Sequence, residues 1–348
     1  MLQFRGLKVV RRGQQTRRMR DVQQVTAKSE NRSVSRREFL RTTAIMAAGV
    51  TAGCSSTPTL NPASGGELIL DIHQHLDYHH RTDEQFVTHQ WNMGVNRTIL
   101  LPAGRPVDRP STNNGVSNGL EATCGGNERC FQFAREHGKA YLFGANEVPD
   151  LPDAISEIER YLKRGAVVIA EQKFHVECDS AEMQRIYSLA AHYNVPVLMH
   201  WQFERFNTSF EQFYKMLEKF PRTRFVGHAQ TWWANINKDY SNWKDLYPKG
   251  KVTPGGITDR YLSDYPNMFG DLSAGSGLNA LRRDEDHARD FLHRHQNKLI
   301  YGSDCDDLTG LPDKCQGAQT IAMIRKLVPE SSVRRKLFWD NAKRVFRV

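Results

Sequence analysis

At 348 residues and 39% hydrophobic, the chain is too long for a minimal domain and fits one domain of roughly 250 residues plus an extension. Its formal net charge of +9 would suit a polyanion partner, but residues 1–53 hold 12 Lys or Arg against 3 Asp or Glu. That leaves 36 charges of each sign in residues 54–348, a neutral body that gives nucleic acid no electrostatic footing.

The extension is N-terminal. SVSRREFLRTTAIMAAGVTAGCSS contains Arg36 and Arg37, then Phe39 and Leu40, then small apolar residues from Thr42 to Gly53, then Cys54. It resembles a twin-arginine export signal, so residues 1–54 read as a basic leader and signal peptide, with Met19 as a second candidate start. The apolar stretch is shorter than the roughly 20 residues that span a bilayer, and no transmembrane segment is expected. Thr51-Ala52-Gly53-Cys54 also resembles a lipoprotein cleavage box, with Thr51 where that pattern prefers Leu. Lipidation of Cys54 and simple cleavage both stay open, and the expected location is periplasmic or membrane-anchored. Export to an oxidising compartment makes Cys124 with Cys130, and Cys305 with Cys315, candidate loop staples; reduced thiols are the rival reading.

Residues 55–66 form a Ser/Pro/Gly linker, and residues 67–348 then alternate strand and helix patterns. Strands are predicted over 68–73, 96–101, 140–145, 166–171, 195–200, 223–228, 268–272 and 298–303, as β-branched, Leu-rich runs without alternation. Helices are predicted over 83–93, 128–138, 152–164, 180–193, 208–220, 285–296 and 315–327, with a broken region over 232–265. Eight strands alternating with helices argue for the α/β class and a (β/α)8 TIM barrel rather than an open sheet. Residues 102–127 and 229–266 are too long to be plain connectors and read as lids or pocket walls.

Potential metal ligands fall where the apolar runs end: His73 and His75, Glu171 or Lys173, His200, His228 and Asp304. In such a barrel these ends share one face. His73 and His75 are two apart on a strand, hence on one side, and two neutral imidazoles suit a divalent cation, most often zinc. H-x-H alone is a weak signal; it gains force from the other three positions. Lys173 reads equally as a clamp for a substrate carboxylate. Tyr78, His79 and His80 line the pocket or a polar loop, and Trp201, Trp232 and Trp233 form an aromatic wall or core. Asp271 is placed to orient a ligand, the Gly-rich stretch after it is a weak phosphate-loop signal, and His293 and His295 read as a solvated helix face.

D-I-H-Q-H, M-H-W, V-G-H, G-S-D and the closing D-N-A-K-R-V-F together resemble the amidohydrolase superfamily, most closely its amidohydrolase-related branch, over roughly residues 68–348. The resemblance implies a metal-dependent barrel enzyme in which His73, His75, His200 and Asp304 bind metal. His228 is then a second-metal ligand or a hydrogen-bonding acid/base. Binuclear relatives need a bridging carboxylate or carboxylated lysine from strand four, for which Glu171 is preferred because it ends its apolar run directly. One or two ions are expected, zinc first and manganese as the alternative. The expected reaction is hydrolysis of a small lactone, ester or amide by a metal-activated water, with Asp304 moving the proton and Lys173, Trp201, Trp232 and Arg105 contacting substrate. A mononuclear decarboxylase of an aromatic or dienoic acid is the alternative, and a non-catalytic lipid-anchored binding protein is a third. The expected partner is a small molecule, with oligomer formation open.

Overall fold

A computed structural model describes residues 61–107 and 124–348. The signal, Cys54, residues 55–60 and residues 108–123 lie outside the described residues.

Eight parallel strands follow in chain order: β1 (Leu70–Gln74), β2 (Arg97–Leu100), β3 (Tyr141–Phe143), β4 (Ile169–Gln172), β5 (Val197–His200), β6 (Phe225–His228), β7 (Met268–Asp271) and β8 (Leu299–Ile300). Pairing runs β1-β2-β3 and β4-β5-β6-β7-β8, and a pair of backbone hydrogen bonds closes each seam. Ala145 N donates to Val168 O (2.9 Å) and Ala170 N to Ala145 O (2.8 Å) between β3 and β4. Ile72 N donates to Tyr301 O (3.3 Å) and Asp304 N to His73 O (2.8 Å) between β8 and β1. The sheet is therefore the expected barrel.

Its interior is one buried cluster that includes Leu70, Ile72, Val168, Ala170, Leu198, Val226 and Ile300, with Trp339, Val345 and Phe346 of the C-terminal segment packed into it. On β5 and β6 the ligand candidates keep step with this interior set, since His200 and His228 lie two residues beyond Leu198 and Val226. On β1 and β4 they do not: Ile72 and Ala170 face inward, and His73 and Glu171 come directly after them. Both strands carry one extra residue there. The register slips between Asp71 and Gln74 on β1 and between Ile169 and Gln172 on β4. A bulge of this kind re-aims the next side chain, which is how two out-of-phase ligands reach the barrel axis.

The outer helices are α1 (Asp83–Asn92), α2 (Asn127–His137), α3 (Ala154–Leu162), α4 (Ala181–Tyr193), α5 (Tyr214–Lys219), α6 (Gln230–Ala234), α7 (Ile257–Asp264), α8 (Ala274–Arg282), α9 (Glu285–Arg294), α10 (Gln316–Leu327), α11 (Ser331–Arg335) and α12 (Asn341–Phe346). A capping box between Thr82 and Gln85 starts α1, and Ser180 and Asp284 cap α4 and α9. The predicted 208–220 helix is a 3-10 turn at Phe210–Gln212 followed by α5. The Gly-rich stretch after Asp271 is α8, not a loop. His295, expected on a solvated face, is buried just past α9 and bonded to Asp259 at 2.6 Å, because the Asp259 carboxylate on α7 needs a partner away from water. Among the described residues, no helix is long and apolar enough to cross a membrane.

Gly227 shows how tightly the outer layer packs. A Cβ there would stand 2.5 Å from Cδ2 of Trp232, whose indole covers β6. Gly227→Ala is expected to cost about 1–3 kcal/mol through overpacking and to lower the melting temperature in a thermal scan; an unchanged transition would contradict this packing.

Candidate metal centre

Four side chains meet at the carboxyl end of the barrel with their inner atoms unpartnered: His73 Nε2, His75 Nε2, Glu171 Oε2 and Asp304 Oδ1. His75 Nε2 lies 3.3 Å and His73 Nε2 3.7 Å from Glu171 Oε2, and each lies 3.6 Å from Asp304 Oδ1. Donors bound at about 2.0–2.1 Å around a tetrahedral ion stand roughly 3.4 Å apart, so this polar cage has the dimensions of a cation site. Leaving four such atoms buried without partners is otherwise costly.

Outer contacts aim the rings. His75 Nδ1 bonds Leu101 O at 2.8 Å, and His73 Nδ1 bonds Asp271 Oδ2 at 2.7 Å. With those nitrogens engaged, the Nε2 lone pairs face the cage. Ser273 Oγ donates to Asp271 Oδ2 at 2.7 Å and therefore accepts from His228 Nδ1 at 2.9 Å. His228 Nε2 lies 3.7 Å from Glu171 Oε1 and 3.5 Å from Asp304 Oδ2. The other expected ligand, His200, spends its Nδ1 on Glu171 Oε1 at 2.6 Å, which leaves its Nε2 unpartnered. His200, His228 and the second carboxylate oxygens frame a second position whose lower half is occupied by that hydrogen bond.

Asp304 holds its place through the backbone. Its φ of 43° lies in the left-handed region, and its N–H donates to His73 O while its carbonyl accepts from Gln316 Nε2 at 2.8 Å. Behind His73, Asp71 accepts from His73 N (3.0 Å) and Ser303 N (2.9 Å), and burial pushes its carboxyl up to about 7.

Charge explains the remaining shifts. Burial alone would raise Glu171, but the hydrogen bond from His200 and the close approach of the His73 and His75 rings hold it well below the usual carboxylate range. Asp304 is likewise lowered against burial, by the charge of His73 first and by the nearby His228 ring. Burial would lower His73, yet Asp304 and Asp271 outweigh it and raise the imidazole well above its ordinary value. His200 falls to about 3 through burial and then the neighbouring Lys173 charge. With no cation, a proton on His73 is what compensates the carboxylates.

The substrate-contact candidates divide. Lys173 lies near the centre, its Nζ 5.7 Å from the Phe206 ring and its charge felt by both Glu171 and His200. Trp201 and Trp232 stack at 5.7 Å and are fully buried, so Trp232 belongs to the core. Trp201 also lines a cavity of about 140 Å³ with Phe203, Asn207, Phe210, Thr231 and Trp243. Arg105 is tied instead to Glu147 (3.2 Å) and Asp153. Tyr78 packs edge-on against His75 at 5.2 Å. Two residues were not anticipated here. Ser273 carries a readable signal, two positions after Asp271; Cys124 carries none. Burial and then the charges of Glu171 and Asp304 push the Cys124 thiol well above its usual value, which places it beside the cage rather than in a staple. All five described cysteines are thiols.

The family model described as amidohydrolase matches residues 70–348. No curated protein matches the chain. Among solved structures, an uncharacterised TIM-barrel protein from Bordetella bronchiseptica aligns with TM-score 0.55 at 12% identity, over 80% of this chain and 98% of its own. A probable 2-pyrone-4,6-dicarboxylic acid hydrolase from Acinetobacter baumannii aligns with TM-score 0.52 at 12% identity, over 80% and 99%. A 5-carboxyvanillate decarboxylase from Novosphingobium aromaticivorans, complexed with manganese and a nitrobenzoic acid, aligns with TM-score 0.51 at 11% identity, over 84% and 100%. At these identities the likeness is one of fold.

Two outcomes follow from the cage. A cation and a proton compete for His73 Nε2, whose proton affinity its carboxylate neighbours raise, so metal content by elemental mass spectrometry should fall steadily as the dialysis pH is lowered; equal retention at all pH values would contradict the site. Gly302 is the second. A Cβ there would stand 2.9 Å from His73 Cβ and would collide with Asp271 Oδ1. Gly302→Ala should therefore loosen the Asp271 support and weaken metal affinity roughly 10–100-fold in a chelator competition, without unfolding the barrel.

Proposed function

Because the chain belongs to the amidohydrolase family, with its match running from residue 70 to 348, we propose that it is a metal-dependent hydrolase of a small lactone, ester or amide. The observation that carries this reading is the cage of four unpartnered donors, His73, His75, Glu171 and Asp304, which fits a divalent cation in spacing and in chemistry. A bound zinc or manganese ion would supply a Lewis acid and lower the pKa of a water to about 7. Asp304 is the group placed to take the proton of that water. Its carboxylate is ionised, belongs to the cage and is the most open of the four, at 12% exposure. Asp304, protonated by that step, would then pass the same proton to the leaving group. His228 donates through Nδ1 to Ser273, which leaves its Nε2 turned toward the cage and suits metal binding better than proton donation. The cavity that follows β5, lined by Trp201, Phe203 and Phe210, has an aromatic wall that favours an apolar group.

One observation favours the decarboxylase alternative. The His200–Glu171 hydrogen bond fills part of the second metal position, and Lys173 stands beside it where it could clamp a substrate carboxylate. A single-ion site with such a clamp fits loss of carbon dioxide from an aromatic or dienoic acid. The non-catalytic, lipid-anchored reading is disfavoured by Asp304, an ionised and partly exposed carboxylate within the cage that a binding role alone would not need. We further read the leader as a twin-arginine signal that carries the protein out of the cytoplasm, with or without lipidation at Cys54.

The test is a metal count on the purified chain joined to two substrate panels, lactones, esters and amides followed by acid release, and aromatic acids followed by carbon dioxide release. Acid release, abolished roughly 100-fold or more in kcat by Asp304→Asn with most metal retained, is expected. Carbon dioxide release with one ion per chain would overturn the hydrolase in favour of the decarboxylase.

A further inference from the structure

Behind the metal centre, and unused by it, a second group of reactive side chains meets in the core. Cys305 follows Asp304 directly, and Cys315 caps α10, its sulfur accepting from Ala318 N at 3.4 Å. The two sulfurs lie 2.9 Å apart, both buried. His89 Nε2 and Met93 Sδ each stand 3.4 Å from the Cys315 sulfur. Heavy atoms that merely pack stay roughly 3.5–4.0 Å apart. Two sulfurs on one tetrahedral ion, bound at about 2.3 Å, would stand roughly 3.8 Å apart. A disulfide brings them to about 2.05 Å. At 2.9 Å the pair is already inside non-bonded contact, with under about 1 Å left to close.

We propose that Cys305 and Cys315 are an oxidisable pair whose disulfide locks the segment between β8 and α10. The intervening chain is mostly exposed, Leu308 and Leu311 at 47% each, so one thin layer separates the sulfurs from a small oxidant. A low-molecular-weight disulfide is the oxidant. Its S–S bond breaks as the Cys305–Cys315 bond forms, the protein sulfurs give up two electrons, and their two protons leave on the two small thiols released. The bond would tie together two ends already arranged around Asp304. Cys305 O accepts from Gln74 Nε2 and Arg81 Nη1, both at 3.0 Å, and Gln316, next to Cys315, holds Asp304 O. Oxidation therefore fixes the segment on which a left-handed Asp304 depends.

The test equilibrates the full chain in mixtures of reduced and oxidised glutathione, quenches in acid, and alkylates in denaturant before intact-mass measurement. The expected result is two fewer adducts on the oxidised chain, and a tryptic map in which Leu299–Lys314 is joined to Cys315–Arg325 until reductant is added. Cys315→Ser should abolish that joined pair. Equal adduct counts at every glutathione ratio, or a linkage through other cysteines, would overturn the proposal. The mass readout on the unaltered chain decides even if the variant does not fold, and it needs neither metal nor activity, so its failure is separate from any failure of the hydrolase reading.

Discussion

Negative charge buried at one end of the barrel is the constraint on which the rest depends. Glu171 and Asp271 are almost wholly buried and Asp304 is 12% exposed, and taking a carboxylate out of water costs several kcal/mol unless it is compensated. Each neighbour can be understood as part of that compensation. Asp271 is met by His73 and Ser273, and Glu171 by His200. Asp71, by contrast, is saturated by backbone N–H groups and Ser303, and it serves as a brace between β1 and the chain after β8. What protein groups leave unmet, on Glu171 and Asp304, is what a cation would complete.

Geometry and charge are linked through the two bulges. Without the extra residue on β1, the parity that turns Leu70 and Ile72 inward would turn His73 and His75 out toward the helices. The same holds for Glu171 after Ala170 on β4. An imidazole pair and a carboxylate facing the outer apolar layer would be uncompensated there, so the slipped register is set by burial on both faces at once.

The ends of the strands were legible in the amino-acid order because a strand buried on both faces is a run of apolar residues, and a His or Asp closing such a run stands out. The eight strands are legible on that basis, as are the five strand ends that carry the candidate ligands. The bulges are not, since one inserted residue leaves no mark in composition. The stretch holding Gly275 and Gly277 hid α8 because glycine there reads as loop. Trp201 and Trp232 followed strand ends as an aromatic wall would, but stacking on one another under the outer helices is the larger burial for two indoles. Arg105 was beyond pattern reasoning, because its partners Glu147 and Asp153 come from another part of the chain.

Barrel closure and site formation are one event in this chain. The last seam is made by Ile72 N to Tyr301 O and by Asp304 N to His73 O, and the second bond joins two members of the cage. Ser303 N, the residue between, donates to Asp71. A β8 segment that slipped by one position would lose the closing bonds and the fourth donor together. The same coupling runs in reverse: a cation held by His73 and Asp304 spans the seam and favours the closed barrel by mass action. The cage therefore belongs to the closed frame of the barrel, built from the same bonds that join its first and last strands.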